Sequence, residues 1–230
     1  CLIRVIEMAP RSTTKDKILD VAEGLFAEHG FNDTSLRTIT GKANVNLASV
    51  NYHFGSKKTL IESVFERFMD TFTQHLISEM NQLDDSKQAI TIEQVLATLV
   101  TPLIQMDKVR PNGSSVFMKL LGRAYAETQG HIRRFAMQSY AHVLARFTRL
   151  LHKACPELAP AEMFWRLHFM LGAFIFTLAG HEALQDMSRS AFDEEVSVEQ
   201  MILRLIPFLA AGFSNHNTSV SVEHLFAGEA

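Results

Sequence analysis

Apolar residues recur along this chain at intervals of three and four. Ile18, Leu19, Ala22, Leu25 and Phe26 form one stripe. Leu60, Ile61, Val64, Phe65, Phe68, Met69, Phe72 and Leu76 form another. That spacing returns to one side of a helix at every turn. Alternation of the strand type is scarce, so the pattern predicts an all-α chain.

The polar punctuation places the ends. Thr13 or Thr14 can cap the first helix. Gly30 closes it, with Phe26 and Phe31 set for the apolar contact of a Schellman-type end. Thr34 or Ser35 caps a short second helix to about Ala43, and Asn44 suits a left-handed turn. Asn46 caps a third helix, Leu47–Phe54, which stops at Gly55. Ser56 opens a long fourth helix to about Met80. Longer helices are predicted near 91–107, 114–127, 129–154, 160–187 and 198–213. Loops are expected at 81–89, 110–113, 155–159 and 188–197. Pro102 and Pro207 should kink or break the helices that hold them. The most apolar run, 169–180, is shorter than the roughly 20 residues a membrane span needs. It predicts a buried helix, and no membrane partner is expected.

Composition narrows the class. The 230 residues are 47% apolar and 20% charged, which is globular and excludes a disordered chain. One or two domains are expected at this length. Two cysteines supply neither a disulfide framework nor a four-cysteine zinc site. Residues 1–8 are too short an apolar stretch for a secretory signal. The expected location is cytoplasmic. The net charge of −3 hides an asymmetry. Residues 36–60 hold Arg37, Lys42, Lys57 and Lys58 and no acid, whereas residues 61–230 hold 14 basic and 19 acidic side chains. A basic island on an acidic body suits one anionic partner at one end.

The island coincides with the two short helices. A pair of that length joined by a tight turn is a helix-turn-helix, whose second helix enters the DNA major groove. On the wheel of the third helix, Val50 and Phe54 share one side. Ala48, Ser49 and Tyr52 lie opposite, flanked by Leu47, Asn51 and His53. That outward face offers hydroxyl, amide and methyl groups and nothing that repels phosphate. Lys57 and Lys58 follow at a helix start, where free backbone N–H groups also favour an anion.

Residues 18–60 resemble the DNA-binding domain of TetR-family bacterial transcriptional regulators. The matching positions are Leu25-Phe26, Gly30-Phe31, Thr34-Ser35, Ile39, Ala43, Val45, Tyr52-His53-Phe54, Ser56-Lys57 and Leu60. Asn44 stands where the family has Gly, Asn46 where it has Ser, and Thr59 where Glu is frequent. The string VNLASVNYHFGSKK is similar to a narrower branch of repressors relieved by long-chain fatty acids or their thioesters. The resemblance implies that Thr34, Ser35, Asn46, Tyr52, His53 and Lys57 hold phosphates. It also implies that Arg37, Leu47, Ala48, Ser49 and Asn51 lie near base edges of a double-stranded operator.

The resemblance further implies a DNA-binding domain over 1–58, a ligand-binding and dimerisation domain over 59–214, and a flexible tail over 215–230. The helices at about 160–187 and 198–213 would pair with their copies in a homodimer, with Gly172, Ala173, Ala179 and Gly180 permitting close approach. Residues 61–230 contain 14 of the 17 Phe and nine of the 10 Met. Such side chains fill irregular apolar volumes and suit a small hydrophobic effector. Phe117, Leu121, Phe169 and Phe176 are the expected walls of its cavity. Arg123 is the first choice to meet an acidic head, with Arg166 and His168 the other embedded cations. No metal-ligand spacing, phosphate loop or Ser/His/Asp signature occurs, so neither an enzyme nor a cofactor is expected. The alternatives are a regulator of the same family sensing a different hydrophobic or aromatic compound, and a helical adaptor that binds no DNA.

Overall fold

A computed structural model of the protein describes residues 13–85, 89–126 and 130–215. The tail expected to be loose lies, after Asn215, outside the described residues. Twelve helices and no strand occur among the described residues. They are α1 (Thr14–His29), α2 (Leu36–Ala43), α3 (Leu47–Phe54), α4 (Lys57–Asp85), α5 (Ile92–Ala97), α6 (Val100–Val109), α7 (Gly113–Ala126), α8 (His131–Ser139), α9 (Ala141–Ala154), α10 (Pro160–Ala179), α11 (His181–Phe192) and α12 (Val198–Ser214).

The N-terminal helix ends follow their caps. Thr13 and Asp16 form a reciprocal capping box at α1. Ser35, not Thr34, caps α2, its Oγ accepting from Thr38 N at 3.0 Å. Asn44 adopts the left-handed conformation with φ 52°. Asn46 caps α3 and Gly55 closes it with φ 73°. Ser56 Oγ accepts from Thr59 N at 3.1 Å and so starts α4.

Farther along, three expected helices are each two. The stretch expected at 91–107 breaks at Thr98 and Leu99. Pro102 then falls in the first turn of α6, where a missing N–H removes no intrahelical bond. The stretch expected at 129–154 breaks at the buried Tyr140, which takes φ −118°. The stretch expected at 160–187 bends by 73° between α10 and α11 at Gly180. Helix α11 then continues to Phe192 and shortens the expected loop to 193–197. Likewise α4 continues through the expected loop to Asp85. Pro207 does not break α12. The bond it forfeits is the one to the carbonyl of Leu203, four residues earlier.

The chain divides into two compact units that interleave. One runs to Asp70 and takes in Lys119–Ser139; the other holds Thr71–Met118 and the chain from Tyr140 onward. The expected boundary after residue 58 falls at the start of α4, whose first half packs back on α1. Phe65 meets Phe31 with ring centroids 5.9 Å apart, and Arg67 reaches the Asp20 carboxylate at 2.6 Å. In this first unit α1 packs on α2 and α3 around Ile18, Ala22, Phe26, Ile39, Val50 and Leu60, all fully buried.

In the second unit α12 packs on α5, α6 and α10, and α5 on α9. Arg146 on α9 bonds Asn81 and Asp84 of α4, each at 2.7 Å. That contact, with Lys153 nearby, holds the Asp84 carboxyl below its usual range. The run at 169–180 is helical but buried on one side only: Met170, Phe174 and Leu178 point inward, while Phe169 and Phe176 are exposed. No single helix among the described residues is long and apolar enough to cross a membrane.

Candidate nucleic-acid interface

The first unit presents α3 as a short rod gripped from beneath. Val50 is fully buried and Phe54 nearly so. The opposite face holds Leu47, Ala48, Asn51, Tyr52 and His53, all exposed, and Ser49 half-exposed. The wheel reading of this helix therefore holds at every position. Tyr52 is 86% exposed and rests edge-on against His53, with centroids 5.0 Å apart. An aromatic that buries so little adds little to folding.

Cations and caps surround this rod. Arg37 is exposed on α2. Ser35 Oγ lies 2.8 Å from Thr38 Oγ1, which places two hydroxyls at the start of the same helix. Asn46 Oδ1 accepts from Ala48 N at 2.5 Å, leaving the amide N–H₂ as the donor available outward. Lys57 donates from Nζ to the carbonyl of Asn32 at 3.4 Å. Partial burial pushes its ammonium down from the usual lysine value, and Asp33 opposes the shift. The fixed stem holds this charge beside the first turn of α4, whose N–H groups attract the same anions.

Thr34 does not belong in this set. It is buried, and its hydroxyl donates to the carbonyls of Gly30 at 2.8 Å and Leu25 at 3.2 Å. The group assigned to phosphate instead fastens the α1–α2 joint. Thr34→Val should therefore cost about 1–2 kcal/mol of stability and leave the salt dependence of DNA binding unchanged. Thermal melts and a salt titration decide. A shallower salt slope at unchanged Tm would return Thr34 to the phosphate contacts.

The five expected effector residues are divided between the two units. Phe117 is buried in the second unit, against Phe72 at a centroid distance of 6.0 Å. Leu121, one turn along α7, is half-buried in the first unit. Phe169 and Phe176 are 66% and 71% exposed. Their spacing of seven puts both on the outer stripe of α10. Arg123 also lies in the first unit, where its Nη2 donates to the carbonyl of Glu28 at 3.0 Å.

Arg166 and His168 have partners within the chain. Arg166 is nearly buried and donates to the carbonyls of Gly212 and Phe213, each at 2.8 Å, with Glu162 at 3.8 Å. It closes the end of α12. His168 Nδ1 lies 2.7 Å from the Phe164 carbonyl. Sequence reasoning missed these assignments because each side chain finds a backbone carbonyl, which has no residue signature. No group of three or more His, Cys, Asp or Glu side chains able to hold a metal occurs among the described residues.

Comparisons with known proteins agree with this geometry. Residues 18–64 match the family described as bacterial regulatory proteins, tetR family. Residues 97–212 match a tetracyclin repressor-like C-terminal domain. The probable HTH-type transcriptional regulator YttP of Bacillus subtilis (strain 168) is 34% identical over 84 residues, 36% of this chain and 39% of that protein. The biofilm operon icaADBC HTH-type negative transcriptional regulator IcaR of Staphylococcus aureus (strain Newman) is 36% identical over 76 residues, 33% of this chain and 41% of that protein. The matched segment thus spans about two fifths of the length of these relatives. The fatty acid degradation regulator FadR from Bacillus halodurans shares the fold at a TM-score of 0.58 with 17% identity, over 91% of this chain and 99% of that one. With matched domains at both ends of the chain, the protein belongs to the tetR family of bacterial transcriptional regulators, which is not a family of enzymes.

Proposed function

We propose that the protein is a dimeric repressor that binds a two-part operator and is released by a hydrophobic effector. The carrying observation is the outward face of α3: acid-free, with Tyr52 free of the core and Lys57 held beside it. A reader of this kind grips one half-site. Two copies grip two half-sites about 34–36 Å apart. Dimerisation is supported by the exposed Trp165, Phe169 and Phe176 of α10 and Leu203 and Phe208 of α12. The negative regulator IcaR among the relatives supports repression. Release follows if the effector binds better to a conformation with the wrong half-site spacing; it can shift operator affinity only by that difference.

A long-chain fatty acid or acyl thioester is the proposed effector class. It is supported by the Phe- and Met-rich second unit, by the string VNLASVNYHFGSKK, and by the shared fold with a fatty acid degradation regulator. Burial of each CH₂ is worth about 0.8 kcal/mol. Four added carbons should therefore tighten binding by up to about 3 kcal/mol until the cavity is full. A calorimetric series of fatty acids and their coenzyme A esters, with and without operator DNA, tests this. Flat affinity across chain length rejects the lipid and favours an aromatic effector. Tight binding without loss of operator affinity rejects it as the signal.

A further inference from the structure

The joint between α1 and α2 sets where the reader stands, and it is held from three directions. From within, Thr34 Oγ1 bonds the carbonyls of Leu25 and Gly30. From α4, Lys57 Nζ bonds the carbonyl of Asn32. From α7, Arg123 Nη2 bonds the carbonyl of Glu28 across 95 residues of sequence. Glu28 is in the last turn of α1, where carbonyls have no intrahelical donor and the helix dipole favours a cation. Gly30 turns the chain with φ 86°, and a Cβ placed there would touch Arg123 Nη1, Cδ and Cζ at 3.7–3.9 Å. The arginine thus lies along the turn as well as capping the helix before it.

We infer that Arg123 is a positioning residue for DNA reading, although it lies 69 residues beyond the end of the reader helix and outside the helix-turn-helix. The inference rests on α3 being the reader. The joint has a glycine at its centre, and Phe31 and Thr34 are its buried side chains. Without the arginine it samples other angles, and apparent affinity falls with the fraction of molecules that keep the competent one. Arg123 is not a DNA ligand in this account, so its loss removes no phosphate contact.

The test compares Arg123→Ala, Arg123→Gln and Arg123→Lys in the full chain. Amide exchange is read at Gly30, bonded to the Phe26 carbonyl, and at Thr38 and Ile39, bonded to Ser35. Exchange at these three should rise about tenfold in the Ala and Gln variants, matching loss of one charge-assisted bond. Exchange in α10 and α12 should stay as it is. Operator affinity should fall on the order of tenfold with the slope of log affinity against log salt unchanged. Lysine, which can still reach one carbonyl, should recover part of both effects. Three results overturn the inference: a salt slope shallower by about one per half-site, which makes Arg123 a phosphate ligand; faster exchange throughout the chain, which makes its role merely structural; or no change at the joint. If the unmodified protein binds no DNA with salt dependence, the reader assignment fails, and exchange at the joint still decides whether Arg123 holds it.

Discussion

Tyr52→Ala and Lys57→Ala will weaken binding to every DNA sequence alike, and Lys57→Ala will also flatten the salt dependence. Each lysine that neutralises a phosphate releases counterions, so its loss lowers the slope of log affinity against log salt by about one unit per half-site. Tyr52 carries no charge, and its removal should leave that slope in place. Both variants should fold normally. Tyr52 is almost wholly exposed, and Lys57 contributes only a long hydrogen bond to Asn32. Ser49 and Asn51 belong to a different class. Substituting either should change the preferred base at one or two operator positions, by about 1–3 kcal/mol for a well-formed contact. Gel shifts against a randomised operator library at two salt concentrations separate the classes. A uniform loss from Asn51→Ala would move Asn51 to the phosphate contacts. Unchanged affinity in both Tyr52→Ala and Lys57→Ala would remove those two from the interface.

The first unit was legible in the sequence because its decisions are local. Ser35, Asn44, Asn46, Gly55 and Ser56 each act on backbone groups within four residues, and cap chemistry is specific to side-chain type. Thr34 shows where this stops. Thr34 and Ser35 are equally able to cap, and only the packing of the joint decides that Thr34 turns inward to Leu25, nine residues away. Arg123 meets the same limit at longer range, bonding the Glu28 carbonyl 95 residues away. A cation in an apolar stretch signals a partner within the chain, but a backbone carbonyl such as that of Glu28 leaves no trace in composition. Helix α10 was ambiguous in another way. Met163, Arg166, Met170, Phe174 and Leu178 make one stripe, and Trp165, Phe169, Gly172 and Phe176 make a second at the same helical spacing. Periodicity finds both and cannot rank them. The core of the second unit takes the first stripe, and the second is left facing outward.

That second stripe should hold the dimer together, and a single charge in it should take the dimer apart. Trp165, Phe169, Gly172 and Phe176 follow at intervals of four, three and four, the spacing that interlocks paired helices. Among the described residues, nothing beyond its own helix backbone and chain neighbours lies within 4 Å of a Cβ placed on Gly172, so that position leaves room for a neighbouring backbone. In a two-fold interface every residue is used by both copies, so one substitution introduces two charges into the same seam. An unpaired charge moved into an apolar contact costs several kcal/mol. Phe176→Asp and Gly172→Asp should each raise the dimer dissociation constant by at least about a hundredfold. The monomer itself should tolerate them, because Phe176 is 71% exposed and the space at Gly172 is open. Helical circular dichroism should therefore persist while sedimentation shows one chain. Operator affinity should fall with it, since a monomer holds one half-site. Arg166→Ala provides the contrast: it unseats the end of α12 from inside the chain and should lower stability without first dissociating the dimer. If folded Phe176→Asp and Gly172→Asp proteins both sediment as dimers, the copies meet on another surface, and the outer stripe of α10 belongs to a different partner.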